Sequence, residues 1–152
     1  MAMSHSTAKK ILIITPFAPP NIGGVETHLE LLWSALVRRG HTVTVLTYQP
    51  LTTATRGPSV EQTNHLTIHR FGWWGRHLFS TLEQYPPILK VLYLMPYLFV
   101  RSLWYVLWHR DEIDVIHVFG LNAGLIGRLL KGFFGKRVVL SIKGIYGFRR
   151  DT

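Results

Sequence analysis

The first fifty residues run strand, glycine-broken loop, helix, strand, and that order restricts the fold more than any other feature of the chain. Lys10 to Thr15 is a short run rich in β-branched residues, apolar on successive positions, as a strand buried on both faces of a parallel sheet must be. Pro16, Pro19, Pro20, Gly23 and Gly24 then interrupt regular structure. Val25, Leu29, Leu32, Trp33, Leu36 and Val37 recur at helical spacing. Glu26 and Glu30 in the first turns and Arg38 and Arg39 in the last match the helix dipole, and Gly40 supplies the left-handed residue that closes a helix. Thr42 to Tyr48 reads as a second strand. This is a βαβ unit, and it predicts an α/β chain built on a Rossmann-like, doubly wound parallel sheet, whose ligands bind at the carboxyl ends of the strands.

The remainder extends the pattern. Gln49 to His65 is rich in Thr, Pro and Ser without periodicity, and its 17 residues suffice for a parallel crossover into a strand at Leu66 to Phe71. Asp114 to Phe119 reads as another strand. Leu121, Leu125, Leu129 and Phe133, with Ile126 and Leu130 beside them, form a helical stripe behind an Asn122 cap, and Gly135 ends it. Arg137 to Ile142 is a fifth strand whose bare edge would invite pairing. Residues 1–8 read as a loose lead-in and 9–152 as one domain. Lys9, Lys10 and the short run Ile11 to Ile14 stop at Thr15 and Pro16, well short of an export signal.

With 47% apolar and 16% charged residues, the chain can bury a core and is not a disordered tail. At 152 residues it cannot hold two full α/β domains. Having no cysteine, it has no disulfide, thiolate metal site or cysteine nucleophile. Its formal charge of +9 favours anionic partners such as nucleotide phosphates or lipid headgroups. The basic residues are scattered and no recognised module occurs, so no nucleic-acid partner is expected.

Pro86 to Trp108 is apolar on all sides. Lys90, Pro96 and Arg101 argue against a membrane span. Two readings remain: a core helix kinked or broken at Pro96, or a helix lying in a membrane interface. In the second, Trp104, Tyr105 and Trp108 sit at headgroup level, and Lys90, Arg101, His109 and Arg110 face anionic lipid.

The loop from Pro19 to Glu26 sits between a buried strand and a helix N-terminus, where unpaired amides favour an anion. Its spacing is neither GxGxxG nor that of a Walker loop. Glu26 and His28 are acid or base candidates there, although a solvated first-turn face is the simpler expectation. His117, inside an apolar strand, reads first as a buried, hydrogen-bonded histidine. His65 and His69 would stand about 13 Å apart on a strand, too far to share a metal, and no metal site is predicted.

Pro19-Pro-Asn-Ile-Gly-Gly-Val-Glu-Thr-His28, then Leu32 to Leu36, then Arg39-Gly-His-Thr-Val-Thr-Val-Leu-Thr47, resembles the opening of family-4 glycosyltransferases, which have the GT-B fold. Asp114-Val-Ile-His-Val118 and Lys136-Arg-Val-Val-Leu-Ser-Ile-Lys-Gly144 resemble its later strands. The resemblance implies a truncated N-terminal, acceptor-side domain, incomplete at its C-terminal edge, of a retaining hexosyltransferase. Such an enzyme moves a sugar from a nucleotide sugar to a lipid-linked or envelope glycan acceptor, usually without a metal or other cofactor. It implies that Gly23 and Gly24, with Lys143 as a point charge, lie near the donor diphosphate, and it makes Glu26, His28 and His117 cleft candidates. The paired-glutamate motif of the family's donor-binding domain has no match here, so activity is expected to need a C-terminal domain or partner chain. The expected location is cytoplasmic, peripheral at the inner face of the membrane. The alternative is a non-catalytic subunit that anchors a separate donor-binding chain to the membrane. The sequence departs from the family where a second histidine is common and Phe119 stands, and where a histidine often follows the fifth strand and Lys143 stands.

Overall fold

The computed structural model describes residues 7–51 and 53–142. β1 (Lys10–Ile14) and β2 (Thr42–Tyr48) pair in parallel, with Ile13 opposite Val45, and α1 (Gly24–Arg38) connects them. α1 ends as its sequence demands: Arg39 is the C-cap and Gly40 follows at φ +83°, a conformation that costs glycine nothing. β4 (Leu66–Phe71) adds to β2, and β5 (Val115–Phe119) adds to the other side of β1. α4 (Gly120–Phe134) then leads to β6 (Arg137–Ser141), which pairs with β5. These five strands are parallel. A three-residue strand, β3 (Val60–Gln62), runs antiparallel at the far edge, so the order is β3-β4-β2-β1-β5-β6. Strand order therefore reverses between β1 and β5, and the loop leaving β1 stands at that switch point.

Two departures from the sequence reading have simple causes. β3 lies in the segment without periodicity, and its three residues are all exposed, so no burial pattern marks it. α4 starts at Gly120 with Phe119 as its N-cap, which places Asn122 inside the helix instead of capping it. Ile126 and Leu130 are buried, while Leu125, Leu129 and Phe133 of the expected stripe are exposed. Gly127 explains the rotation: a Cβ there would stand 2.8 Å from Val118 and 2.9 Å from Val138, so this small residue sets the helix down on β5 and β6.

Each face of the sheet has its own core. On one, Leu29 and Trp33 of α1 pack against Ile13, Val43, Val45 and Ile68. On the other, α3 (Pro87–His109) and α4 cover Leu12, Ile14, Leu46, Tyr48, Ile116 and Val118. A short helix α2 (Arg76–Thr81) and a 3-10 turn at Leu82–Gln84 lead into α3. Leu94, Leu98, Ser102 and Val106, spaced by four, form its buried stripe, and each buried aliphatic side chain contributes roughly 1.5 to 3 kcal/mol. The core-helix reading thus holds for one face of α3, and the helix runs unbroken through Pro96. Pro96 lies on the exposed side, where solvent can reach the carbonyl group that its ring deprives of a donor. The hydroxyl of Tyr48 donates to the Leu94 carbonyl, and burial pushes that phenol well above the ordinary tyrosine range. Among the described residues no helix is long and apolar enough to cross a membrane.

Candidate functional site

The loop leaving β1 is held from several sides. Thr15 Oγ1 donates to the Phe17 carbonyl at 2.9 Å, and the Asn21 amide donates to Ala18 at 3.2 Å. Arg70 in β4 reaches across from below, donating to the carbonyls of Pro19 at 3.0 Å and Pro58 at 3.3 Å and pairing with Glu61 at 2.8 Å. Its guanidinium is almost fully buried, so these partners replace its hydration. The loop then turns Ile22 fully outward and enters α1 through Gly23.

No side chain caps this helix, so the amides of its first turn keep their donor capacity. Thr27 ties its amide and hydroxyl to the Gly23 carbonyl, both at 3.1 Å. Gly23 and Gly24 differ in surroundings. A Cβ on Gly23 would collide with the Glu26 carboxylate, whereas one on Gly24 would meet nothing within 4 Å. Open space therefore borders Gly24. Glu26 is buried and His28 half-buried, which corrects the expectation of a solvated first-turn face: the turn lies against the sheet's carboxyl edge.

His28, His117 and Phe119 converge there. The rings of His28 and Phe119 lie 6.2 Å apart, and His117 stacks on Phe119 at 4.5 Å. His117 Nε2 is 2.8 Å from Ser141 Oγ. Burial first, and then the charge of His28, hold the His117 imidazole below the ordinary histidine range, so it is neutral near pH 7. The arrangement offers helix amides, two imidazoles and a hydroxyl, a set suited to hydrogen-bonding phosphate and sugar oxygens. Ser141 and Arg70 were not singled out from sequence, because one serine or arginine within a strand carries no spacing signal. Lys143 lies outside the described residues.

The residues expected at a membrane gather elsewhere. Arg101, Trp104, Tyr105, Trp108 and His109 of α3, with His69 and Phe71 of β4, line a groove of about 410 Å³. Lys90 lies near the start of α3. Trp104 and Trp108 project outward, but Tyr105 turns inward: its ring lies 5.5 Å from His69 and stacks on His109 at 4.2 Å. Among the described residues no group of three or more His, Cys, Asp or Glu is placed to hold a metal ion.

The glycosyl transferase 4-like domain family matches residues 23–151, from the first glycine of the loop to beyond the last strand. The chain belongs to that family. Among curated proteins, this glycosyltransferase 4-like chain is 26% identical over 148 residues to a phosphatidylinositol N-acetylglucosaminyltransferase subunit from Arabidopsis thaliana, covering 96% of the chain and 30% of that relative. Among solved structures it resembles the catalytic domain of starch synthase IV from Arabidopsis thaliana bound to ADP and acarbose, with a TM-score of 0.67 and 15% identity, covering 91% of the chain and 34% of that protein. It also resembles sucrose-phosphate synthase from Thermosynechococcus elongatus, with a TM-score of 0.60 and 20% identity over 90% of the chain and 33% of that protein. These likenesses establish the Rossmann-like fold of GT-B glycosyltransferases for this glycosyltransferase 4-like chain, which spans about a third of their length.

Proposed function

We propose that the chain is the acceptor-side, N-terminal domain of a retaining glycosyltransferase, moving a hexose-type sugar from a nucleotide sugar to a lipid-linked or other envelope glycan acceptor. The observation that carries this reading is the uncapped glycine turn at the switch point of the sheet, with open space beside Gly24 and His28, His117 and Ser141 nearby. As the donor's diphosphate departs, negative charge builds on it, and the Gly23 and Gly24 amides, with Lys143 as a point charge, stabilise that charge. Stabilisation by fixed dipoles needs no metal. The acceptor hydroxyl attacks from the side of Glu26, His28 and His117, against a donor held by a C-terminal domain or partner chain.

The Arabidopsis relative is by its name an N-acetylglucosaminyltransferase with phosphatidylinositol as its other half, which supports a sugar donor and a lipid acceptor here. With a lipid acceptor the work lies at a membrane, peripherally and on its cytoplasmic face. That relative is also called a subunit, which favours one second reading: a non-catalytic chain anchoring a donor-binding partner.

The test uses the chain joined to its donor-binding domain or partner and follows sugar transfer from nucleotide sugars. Gly24→Val should leave the fold intact and lower turnover about a hundredfold, because the side chain fills the open space beside the amide and keeps the diphosphate from reaching it, as costly as removing such a donor. An unchanged rate would remove Gly24 from the donor site. Transfer by the partner alone, undiminished without this chain, would select the anchoring reading.

A further inference from the structure

The inner stripe of α3 fixes the helix to the sheet, and its outer side is anomalous. On the side opposite Leu94, Leu98, Ser102 and Val106 stand Leu89, Leu92, Pro96, Val100, Trp104 and Leu107, all exposed and all apolar. A helix facing water carries polar residues there. This stripe extends through Trp108, which is 70% exposed and lies 5.8 Å from Trp104, and by the rise of a helix it is roughly 28 Å long. Patches of this length mark an interaction surface.

Charge identifies the occupant. From Gln84 to Arg110 the sequence has no Asp or Glu but carries Lys90, Arg101 and Arg110, the last of which pairs with Asp111 at 3.6 Å. Arg101 lies over the Phe71 ring at 4.3 Å, at the flank of the apolar stripe and at the mouth of the β4–α3 groove. Among the described residues no carboxylate pairs with it. The groove brings His69 and His109 to the same wall, and burial together with the charges of His109 and Arg101 holds His69 below the ordinary histidine range, as a site of one sign would. Glu112 stands beyond His109, in the neighbouring groove at the amino edge of the sheet. A row of apolar and indole side chains with Arg101 at its flank, Lys90 in the same helix and no acidic residue from Gln84 to Arg110 matches the boundary between anionic headgroups and acyl chains.

We infer that α3 docks lengthwise on an anionic bilayer, with Trp104, Leu107 and Trp108 entering the headgroup boundary and Arg101 engaging lipid phosphate at the mouth of the β4–α3 groove. The inference deepens the reading of a membrane-borne acceptor by naming the surface that meets the membrane, and it rests on that reading only for what the docking serves. Tyr105 acts as the inner wall of the groove and does not touch the bilayer.

The experiment is co-sedimentation of the full chain with vesicles of phosphatidylcholine alone and of phosphatidylcholine mixed equally with phosphatidylglycerol. The mixed vesicles should capture the chain, and added salt should weaken capture. Trp104→Ser with Trp108→Ser should lower affinity roughly tenfold. Arg101→Gln should lower it about fivefold. Phe133→Ser, a substitution of an equally exposed aromatic residue on α4, should leave it unchanged, and circular dichroism checks that every variant is folded. The inference falls if mixed vesicles capture nothing, or if Phe133→Ser weakens capture as much as the tryptophan pair. It falls too if lipid-free sedimentation velocity shows a dimer that the tryptophan pair dissolves, which assigns the face to a second copy. Transfer to a water-soluble acceptor by the assembled enzyme reads the catalytic proposal separately, because docking is not needed for it.

Discussion

His117 in β5 and Ser141 in β6 are joined, Nε2 to Oγ, across 2.8 Å, tying two neighbouring parallel strands at the carboxyl edge where the glycine turn also ends. Burial holds that histidine below the ordinary range, and the serine hydroxyl can donate to it or accept from it. His69, on the other face of the sheet, is shifted the same way.

Acid sensitivity follows. Unfolded, each imidazole takes a proton near pH 6.5; folded, each does so only at lower pH. The unfolded chain therefore binds more protons in this window, so the stability is fully present above about pH 6.5 and is lost as pH falls through the folded values. Urea midpoints measured from pH 8 to pH 5 should fall on acidification, and His117→Gln should flatten the dependence. Equal slopes in both proteins would contradict it.

The two glycines of the turn should separate stability from activity. Gly24 begins α1 with free space around it, so Gly24→Ala should stabilise by about 0.5 kcal/mol through the unfolded chain while slowing transfer in the assembled enzyme. Gly23→Ala must displace the Glu26 carboxylate and should show no such gain. Thermal melts paired with turnover on the same samples decide this.

Arg70→Met should cost about 2 kcal/mol, because the carbonyls of Pro19 and Pro58 lose a buried charged donor. Glu61→Gln should cost less than about 1 kcal/mol, since that side chain is half exposed and the glutamine amide oxygen can still accept from Arg70. Denaturant titration of both variants reads the difference, and equal losses would show that the ion pair, not the loop, is what Arg70 serves.

On α4, Ile126→Ala should cost about 3 kcal/mol and Phe133→Ser should stay within about 0.5 kcal/mol, because Ile126 is fully buried and Phe133 is 70% exposed. A large loss from Phe133→Ser would mean that the outer face of α4 is covered in solution.

That last contrast shows where sequence and structure diverge. β1, α1, β2, β4, β5 and β6 were legible because the strands are short, largely apolar runs, buried in the middle of the sheet and merely apolar at its β6 edge, and because the turns between them carry glycine and proline. α4 is apolar on most sides, so spacing could select the wrong stripe; only the close approach at Gly127 decides which side lies down. α3 offers no polar face from which to read a period, so spacing alone could not pick out Leu94, Leu98, Ser102 and Val106 as the side that lies on the sheet. At the site, the glycine turn announced itself, whereas Arg70 and Ser141 act through partners that lie at least 9 and 24 residues away in sequence.

The central position of β1 has a consequence for how the chain is made. Its amide at Lys10 donates to Asp114 at 2.7 Å, a partner 104 residues later, and β1 lines up with β5 only once Val115 has been synthesised. When the nascent chain has emerged as far as Phe71, β3, β4, β2 and β1 can already pair, with α1 sealing one face. Leu12, Ile14, Leu46 and Tyr48 on the other face stay wet until α3 arrives. Translation thus holds a half-covered sheet open at its middle strand, and the interval between Phe71 and Leu94 is the stretch of synthesis during which this protein most needs protection from its neighbours.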